Sequence, residues 1–244
     1  MIGLMNLRKQ RTLSDTHMIF DALIVVPEIT KGMKSIGSKA LLKIKNSIAI
    51  LDYQILQLNS IPGIRDIYVC IGFESEKIKK TLTHYSNVKT IYNDEYLTTN
   101  QSKSVALYLE NVDKLSNLLV INNGVLSRGL GDVYKRQVIN NGVLFKDCFK
   151  RFLGHNSILY VIDKPKIHFN IGCNHTESVE YLFYDFPIPW AECVMFNTAA
   201  LNMLRSHVSK SSIDQNYLFE TINLLLSNKI CLLYTSDAAD EGLG

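Results

Sequence analysis

Residues Lys31-Gly32-Met33-Lys34-Ser35-Ile36-Gly37-Ser38-Lys39 combine two glycines with three lysines in a short stretch. Glycine permits close backbone approach to a phosphate, and amides and ammonium groups offset its charge. The plain structural alternative is a basic surface turn. A second stretch runs Tyr92-Asn93-Asp94-Glu95-Tyr96-Leu97-Thr98-Thr99-Asn100-Gln101-Ser102-Lys103-Ser104. Thr99, Asn100 and Ser102 are of the types that cap a helix, and a helix N-terminus favours an anion. Trp190, the only tryptophan, follows Pro187 and Pro189 and is a candidate for a substrate pocket, although core packing is the commoner fate of an indole. Cys173, His175 and nearby His168 offer metal-binding atoms without a fourth ligand at zinc-site spacing.

The elements that must position these groups alternate between short β-branched runs and helical periodicity, the pattern of a mostly parallel sheet flanked by helices. Strands are expected at 22–26, 66–72, 88–92 and 118–121. Helices are expected where Ile48, Leu51, Ile55 and Leu58 recur, where Ile78 and Leu82 share a face, and where Val105, Tyr108, Leu109 and Val112 recur. A short helix at 145–152 and strands at 158–162, 166–171, 179–183 and 191–196 follow. Leu218, Ile222 and Leu225 mark a last helix, and Pro187 and Pro189 a loop. In such a sheet ligands bind beyond the carboxyl ends of the strands, where both candidate stretches begin.

The order of these motifs resembles the NTP-transferase superfamily, especially the sugar-phosphate and phosphocholine nucleotidyltransferases. The likeness covers most of residues 21–126 and, more loosely, 145–230. It implies a Rossmann-like α/β fold of the nucleotide-diphospho-sugar transferase type. It also implies an NTP and a small phosphorylated acceptor as ligands, with Mg²⁺ between the phosphates. Lys39 matches the family's phosphate-contacting lysine, with Ser38 in place of proline. Lys34 or Lys31 stands for the family's arginine, in a shorter loop carrying Gly32 and Gly37. Asn93, Asn100 and Ser104 match positions near the nucleotide base and sugar. After the fourth strand, Asn122-Asn123-Gly124 occupies the place of a family triplet, with Gly124 where a metal-binding aspartate is expected. The later carboxylate of the family has candidates in Glu192, Asp214 and Glu220. Glu192, Trp190 and Glu220 are the candidates on the acceptor side, and Glu220 and Asn223, three apart, share a helix face.

Two segments read as foreign to the domain. Val-Ile-Asn-Asn-Gly-Val-Leu occurs at 120–126 and again, unchanged, at 138–144. Between the copies lies Ser-Arg-Gly-Leu-Gly-Asp-Val-Tyr-Lys-Arg-Gln. The codons GAT GTG TAT AAG AGA CAG encode its last six residues. Their reverse complement, shifted by one base and extended by the next, reads TGT CTC TTA TAC ACA TCT, which encodes Cys231 to Ser236. Both segments therefore read as translated sequencing-library adapter, one strand each, in a metagenome-style fragment. The expected organisation is an N-terminal extension at 1–20 and a domain at 21–230. An artefactual insert at 127–144 interrupts that domain, and an artefactual tail covers 231–244.

The net charge of +3 is small and scattered, which argues against nucleic acid as a partner. No apolar run is long enough for a membrane span, and the start shows no secretory signal, so the expectation is a cytoplasmic protein with reduced thiols. No Walker loop, Gly-x-Ser-x-Gly elbow or GxGxxG is present. The leading expectation is nucleotidyl transfer to a sugar phosphate or phospho-alcohol. An inactive nucleotide- or partner-binding homologue stays open because of Gly124. A glycosyltransferase of related fold is disfavoured by the lack of Asp-x-Asp.

Overall fold

The computed structural model describes residues 19–27, 37–43, 48–122, 157–161, 171–173, 179–230 and 232–235. Its sheet is built on β1 (Phe20–Val25), β2 (Ile64–Ile71), β3 (Val88–Tyr92) and β4 (Asn117–Asn122). β5 (Ser157–Val161), β6 (Ile171–Cys173), β7 (Leu182–Tyr184), β8 (Ile188–Phe196) and β9 (Leu232–Thr235) complete it. Strand order is β3-β2-β1-β4-β8-β5-β9, with β6 and β7 attached beside β8. In that row only β8 runs opposite to the others. The expected mostly parallel α/β sheet is what the chain forms.

Every residue of β1 is buried, as a central parallel strand covered on both faces requires. Alternate residues serve opposite layers. Phe20, Ala22 and Ile24 pack against α1 (Ile50–Asn59) and α2 (Ser75–Leu82) through Leu51, Ile55, Leu58, Ile78 and Leu82. Leu23 and Val25 face α3 (Gln101–Asn111), α4 (Thr198–Val208) and α5 (Leu218–Ser227) through Val105, Tyr108, Leu201, Leu204 and Ile222. A short 3-10 helix, Lys39–Leu41, precedes α1.

Several expectations change in detail. β8 begins upstream of 191 and takes in Pro189, whose backbone pairs with Gly172 of β6, so this proline lies in a strand and not in a loop. It falls near the start of the strand, where a missing N–H costs least. α4 went unrecognised in the sequence, although Asn197 caps it by accepting the Ala200 amide at 2.9 Å. The strand expected at 179–183 is a single bridge at Val179 followed by β7. Residues 232–235, inside the segment read as an adapter-derived tail, pair with β5 as an edge strand. An apolar, aromatic and β-branched run such as Leu-Leu-Tyr-Thr suits any open edge. The expected insert at 127–144, the helix at 145–152 and most of the strand at 166–171 lie outside the described residues. No described helix is long and apolar enough to cross a membrane.

Candidate functional site

The strand order places β2 and β4 on opposite sides of β1, and the direction of winding reverses there. Crevices at such switch points, beyond the carboxyl ends of the strands, are where ligands bind in open α/β sheets. At this edge Val25 of β1 is in register with Asn122 of β4 on one side and Cys70 of β2 on the other.

Three consecutive strand-to-helix turns converge there. Gly72, at the end of β2, lies so close to its neighbours that a Cβ would stand 2.6 Å from Tyr96 Cβ and 2.9 Å from the Pro27 carbonyl oxygen. Only glycine lets the turns after β1, β2 and β3 approach in this way. The Phe73 amide donates to the Pro27 carbonyl at 3.3 Å. The adjacent residue, Glu74, reaches the far end of the first turn, where its Oε2 accepts the Ser38 amide at 2.7 Å. Gly37 there has φ +90, a conformation that suits glycine, and Ser38 leads directly into the 3-10 turn carrying Lys39. Lys77 pairs with Glu74 Oε1, and this ammonium together with the Ser38 amide holds the carboxyl below the usual glutamate range.

On the other side of the switch point, Asn122 Nδ2 donates to Glu192 Oε2 at 3.0 Å. Glu192 sits in β8, next to Cys193, which is in register with Ile121 of β4. Its φ is +55, left-handed backbone within a strand, and the β5–β8 register shifts in this region. Strain of this kind persists where the surrounding fold imposes it and clusters at functional positions. Asn122 and Glu192, proposed separately from sequence, are thus brought together.

The Asn93 to Ser104 stretch is a different matter. Asn93 is buried, donates to Thr99 Oγ1 at 3.0 Å and accepts the Glu95 amide at 3.0 Å. Asn100 precedes α3 but turns its side-chain amide to the Gln215 carbonyl, making no side-chain cap bond. The Asn100 and Ser102 amides go to the carbonyls of Asp214, at 2.8 Å, and Asn216, at 3.3 Å. Ser102 Oγ lies 2.6 Å from Thr221 Oγ1. The start of α3 is therefore closed by the loop between α4 and α5, and amides expected to favour an anion are spent on that loop. Ser104 is fully buried on the α3 face of the sheet beside Cys70, whose thiol burial pushes up to about 11 against a smaller effect of the Ser104 hydroxyl.

Lys103 secures the same junction, with Nζ 2.9 Å from Asp214 and 3.0 Å from Glu95. Burial opposes its charge, but the two carboxylates prevail and hold the ammonium above the ordinary lysine range. Asp214, one of the carboxylates considered for a metal, is thus paired with Lys103. Glu220 accepts the Tyr217 amide at 2.7 Å, closing the start of α5. Asn223 shares its helix but is buried, bonding both backbone groups of Leu182 at 2.8 Å. Trp190 is a core residue, 6% exposed, donating Nε1–H to the Cys193 carbonyl at 2.9 Å. Cys173 is buried, and among the described residues no group of three His, Cys, Asp or Glu could hold a metal. Lys31, Gly32, Lys34, Asn123, Gly124, His168 and His175 lie outside the described residues. Glu74 was not among the candidate site residues read from the sequence.

No protein-family model matches the sequence, and no curated protein matches it at a significant level. Solved structures do match in shape. The CTP:phosphocholine cytidylyltransferase of Streptococcus pneumoniae (LicC) superimposes with a TM-score of 0.62 at 17% identity, over 90% of each chain. The inositol-1-phosphate CTP transferase of T. maritima gives 0.67 at 10% identity, over 89% of this chain and 85% of that one. A putative glucose-1-phosphate thymidylyltransferase of Bacillus anthracis gives 0.62 at 10%, over 89% and 86%. The chain has the fold shared by these nucleotidyltransferases.

Proposed function

We propose that the chain binds an NTP at the switch point between β1 and β4 and transfers its nucleotidyl group to a small phosphorylated acceptor, a sugar phosphate or phospho-alcohol. The observation that carries this reading is the Glu192 carboxylate, held on left-handed backbone and hydrogen-bonded to Asn122 at the end of β4. Support comes from the fold, whose neighbours are named for phosphocholine, inositol-1-phosphate and glucose-1-phosphate.

In such a transfer the acceptor phosphate attacks the α-phosphorus in line and pyrophosphate leaves. The chain has no covalent step to perform; it aligns the reactants and balances charge. Lys39 offsets phosphate charge from the turn after β1, with Lys34 assigned the same role. Gly32, Gly37 and Gly124 would give the backbone close approach, and Asn122 orients Glu192. Magnesium, when bound with phosphates, takes one or two protein carboxylates and completes its shell with phosphate oxygens and water. Glu192, beside Asn122 at the end of β4, suits that requirement by its place at the switch point as a hard-oxygen donor, whereas Asp214 and Glu220 are held at the starts of α3 and α5. The ion would supply charge neutralisation at the phosphates.

A second reading, nucleotide binding without turnover, is favoured by two observations. Gly124 stands where the resemblance calls for a carboxylate, and the side chains of Asn93 and Asn100 are engaged by Thr99 and by the Gln215 carbonyl. Pyrophosphate release measured with each NTP, Mg²⁺ and a panel of sugar phosphates and phospho-alcohols separates the two. Release with one pair establishes transfer. Saturable nucleotide binding with no release for any pair overturns it.

A further inference from the structure

We infer that Glu74 is a positioning residue for Lys39, acting from the turn after β2 on the turn after β1; this rests on the reading that Lys39 contacts phosphate. Consecutive residues, Phe73 and Glu74, hold the two ends of the intervening first turn. Phe73 donates its amide to Pro27 at the start, and Glu74 accepts the Ser38 amide at 2.7 Å at the finish. Ser38 in turn opens the 3-10 turn through Leu41 N–H to Ser38 O at 3.1 Å, so the backbone that presents Lys39 is fixed from Glu74.

Glu74 is an unusual residue for its place. Its φ is +55, a region in which glycine or asparagine is at ease and glutamate is not. It stands at the N-cap of α2 yet makes no side-chain bond to that helix's amides. The carboxylate faces the first turn instead, with its side chain only 16% exposed. Space is made for it there: a Cβ on Gly37 would stand 2.7 Å from Glu74 Oε2. Lys77, one turn along α2, pairs with the other oxygen and offsets a negative charge that would otherwise oppose a polyphosphate nearby.

The test uses the full chain and inorganic tripolyphosphate with Mg²⁺ as the probe, with affinity measured by calorimetry and stability by thermal unfolding. Lys39→Ala is expected to lose about tenfold or more in affinity, the worth of one charge-assisted contact. Glu74→Ala is expected to lose a similar factor, and Glu74→Gln, which keeps an acceptor for the Ser38 amide, to recover most of it. The double variant Lys39→Ala/Glu74→Ala is expected to bind no worse than Lys39→Ala alone, because coupled residues are non-additive. Glu74→Gly relieves the left-handed backbone, so it is expected to unfold no earlier than the unsubstituted chain while still binding poorly. Unchanged affinity in Lys39→Ala overturns the phosphate reading and this inference with it. Loss in Lys39→Ala with none in Glu74→Ala, additive losses in the double variant, or recovered binding in Glu74→Gly overturns the role of Glu74 alone.

Discussion

Asn122 and Glu192 meet across the β4–β8 junction, with Nδ2 3.0 Å from Oε2, and Glu192 makes the contact from left-handed backbone. A fold under selection for stability alone has an easy remedy at such a position, since glycine adopts φ +55 freely. Retaining glutamate there spends stability on a carboxylate at the carboxyl edge of the sheet.

Replacing Glu192 by glycine therefore separates stability from chemistry. The left-handed conformation costs a non-glycine residue about 1–2 kcal/mol. Glu192→Gly should leave the unfolding midpoint unchanged or raise it, while NTP-dependent pyrophosphate release disappears. Glu192→Gln should also lose Mg²⁺-dependent release yet gain no stability. Release at the original rate in Glu192→Gly would remove the carboxylate from the proposed site.

The opposite edge of the sheet carries a network of another kind. Arg65 grips buried Asp21 with two bonds, Nε to Oδ1 at 2.9 Å and Nη2 to Oδ2 at 2.6 Å, and Tyr108 donates to Oδ2 at 2.8 Å. Asp21 is fully buried, so removing the guanidinium leaves an under-compensated charge. Arg65→Met is expected to destabilise by about 2–3 kcal/mol, the lower end for a broken buried pair because Arg65 is itself partly exposed. Chemical denaturation measures this loss. Because the pair lies at the amino ends of the strands, nucleotide affinity of the folded variant should not change.

What the sequence made legible follows from how local each cause is. The run Phe20 to Val26 is apolar at nearly every position because β1 is covered on both faces, and the period of Leu51, Ile55 and Leu58 shows which side of α1 is inward. Asn93 and Asn100 were expected to lie near a nucleotide because they match such positions in the resembled family, but carboxamides suit loop closure equally well. Asn93 closes on Thr99 and Glu95 within its own loop, whereas Asn100 is taken by the Gln215 carbonyl, more than a hundred residues along the chain, which no local pattern brings to the start of α3. Glu220 and Trp190 are engaged by backbone groups only three residues away, the Tyr217 amide and the Cys193 carbonyl, contacts that their residue types alone do not announce. The significance of Glu192 depends on the β8 register and that of Glu74 on a contact 36 residues away. By contrast the signal for α4 was local and went unread, with Asn197 at its cap and Ala200, Leu201 and Leu204 buried along the helix.

The Lys103 junction gives a pH prediction with a definite sign. Its ammonium is held above the ordinary lysine value of 10.5 in the folded chain by Asp214 and Glu95, which outweigh burial. A raised folded pKa contributes stability that is complete below the unfolded value and fades only as pH climbs through the folded one. Lys103→Met should therefore destabilise by the same amount at every pH across the neutral range, with the difference narrowing only in strongly alkaline solution. Hydrogen exchange should locate the damage at the Asn100 and Ser102 amides, which the Asp214–Asn216 loop protects.

Trp190 offers the last test, because it is the sole tryptophan and so the sole indole reporter. Its ring is buried with the α3, α4 and α5 side of the core, and its N–H is committed to the Cys193 carbonyl, two positions from Met195 on the strand that lines the sheet's centre. A core indole should emit at short wavelength and shift to longer wavelength only on unfolding. Adding NTP, Mg²⁺ or a phosphorylated acceptor should leave the spectrum of the folded chain unmoved, whereas an indole lining an acceptor pocket would respond at once. Trp190→Ala should cost about 3–5 kcal/mol, as large-to-small core truncations do. Trp190→Phe should cost less, since it keeps most of the ring volume and gives up the bond to Cys193. A ligand-dependent spectral change would return Trp190 to the acceptor side, where its proximity to two prolines first suggested it.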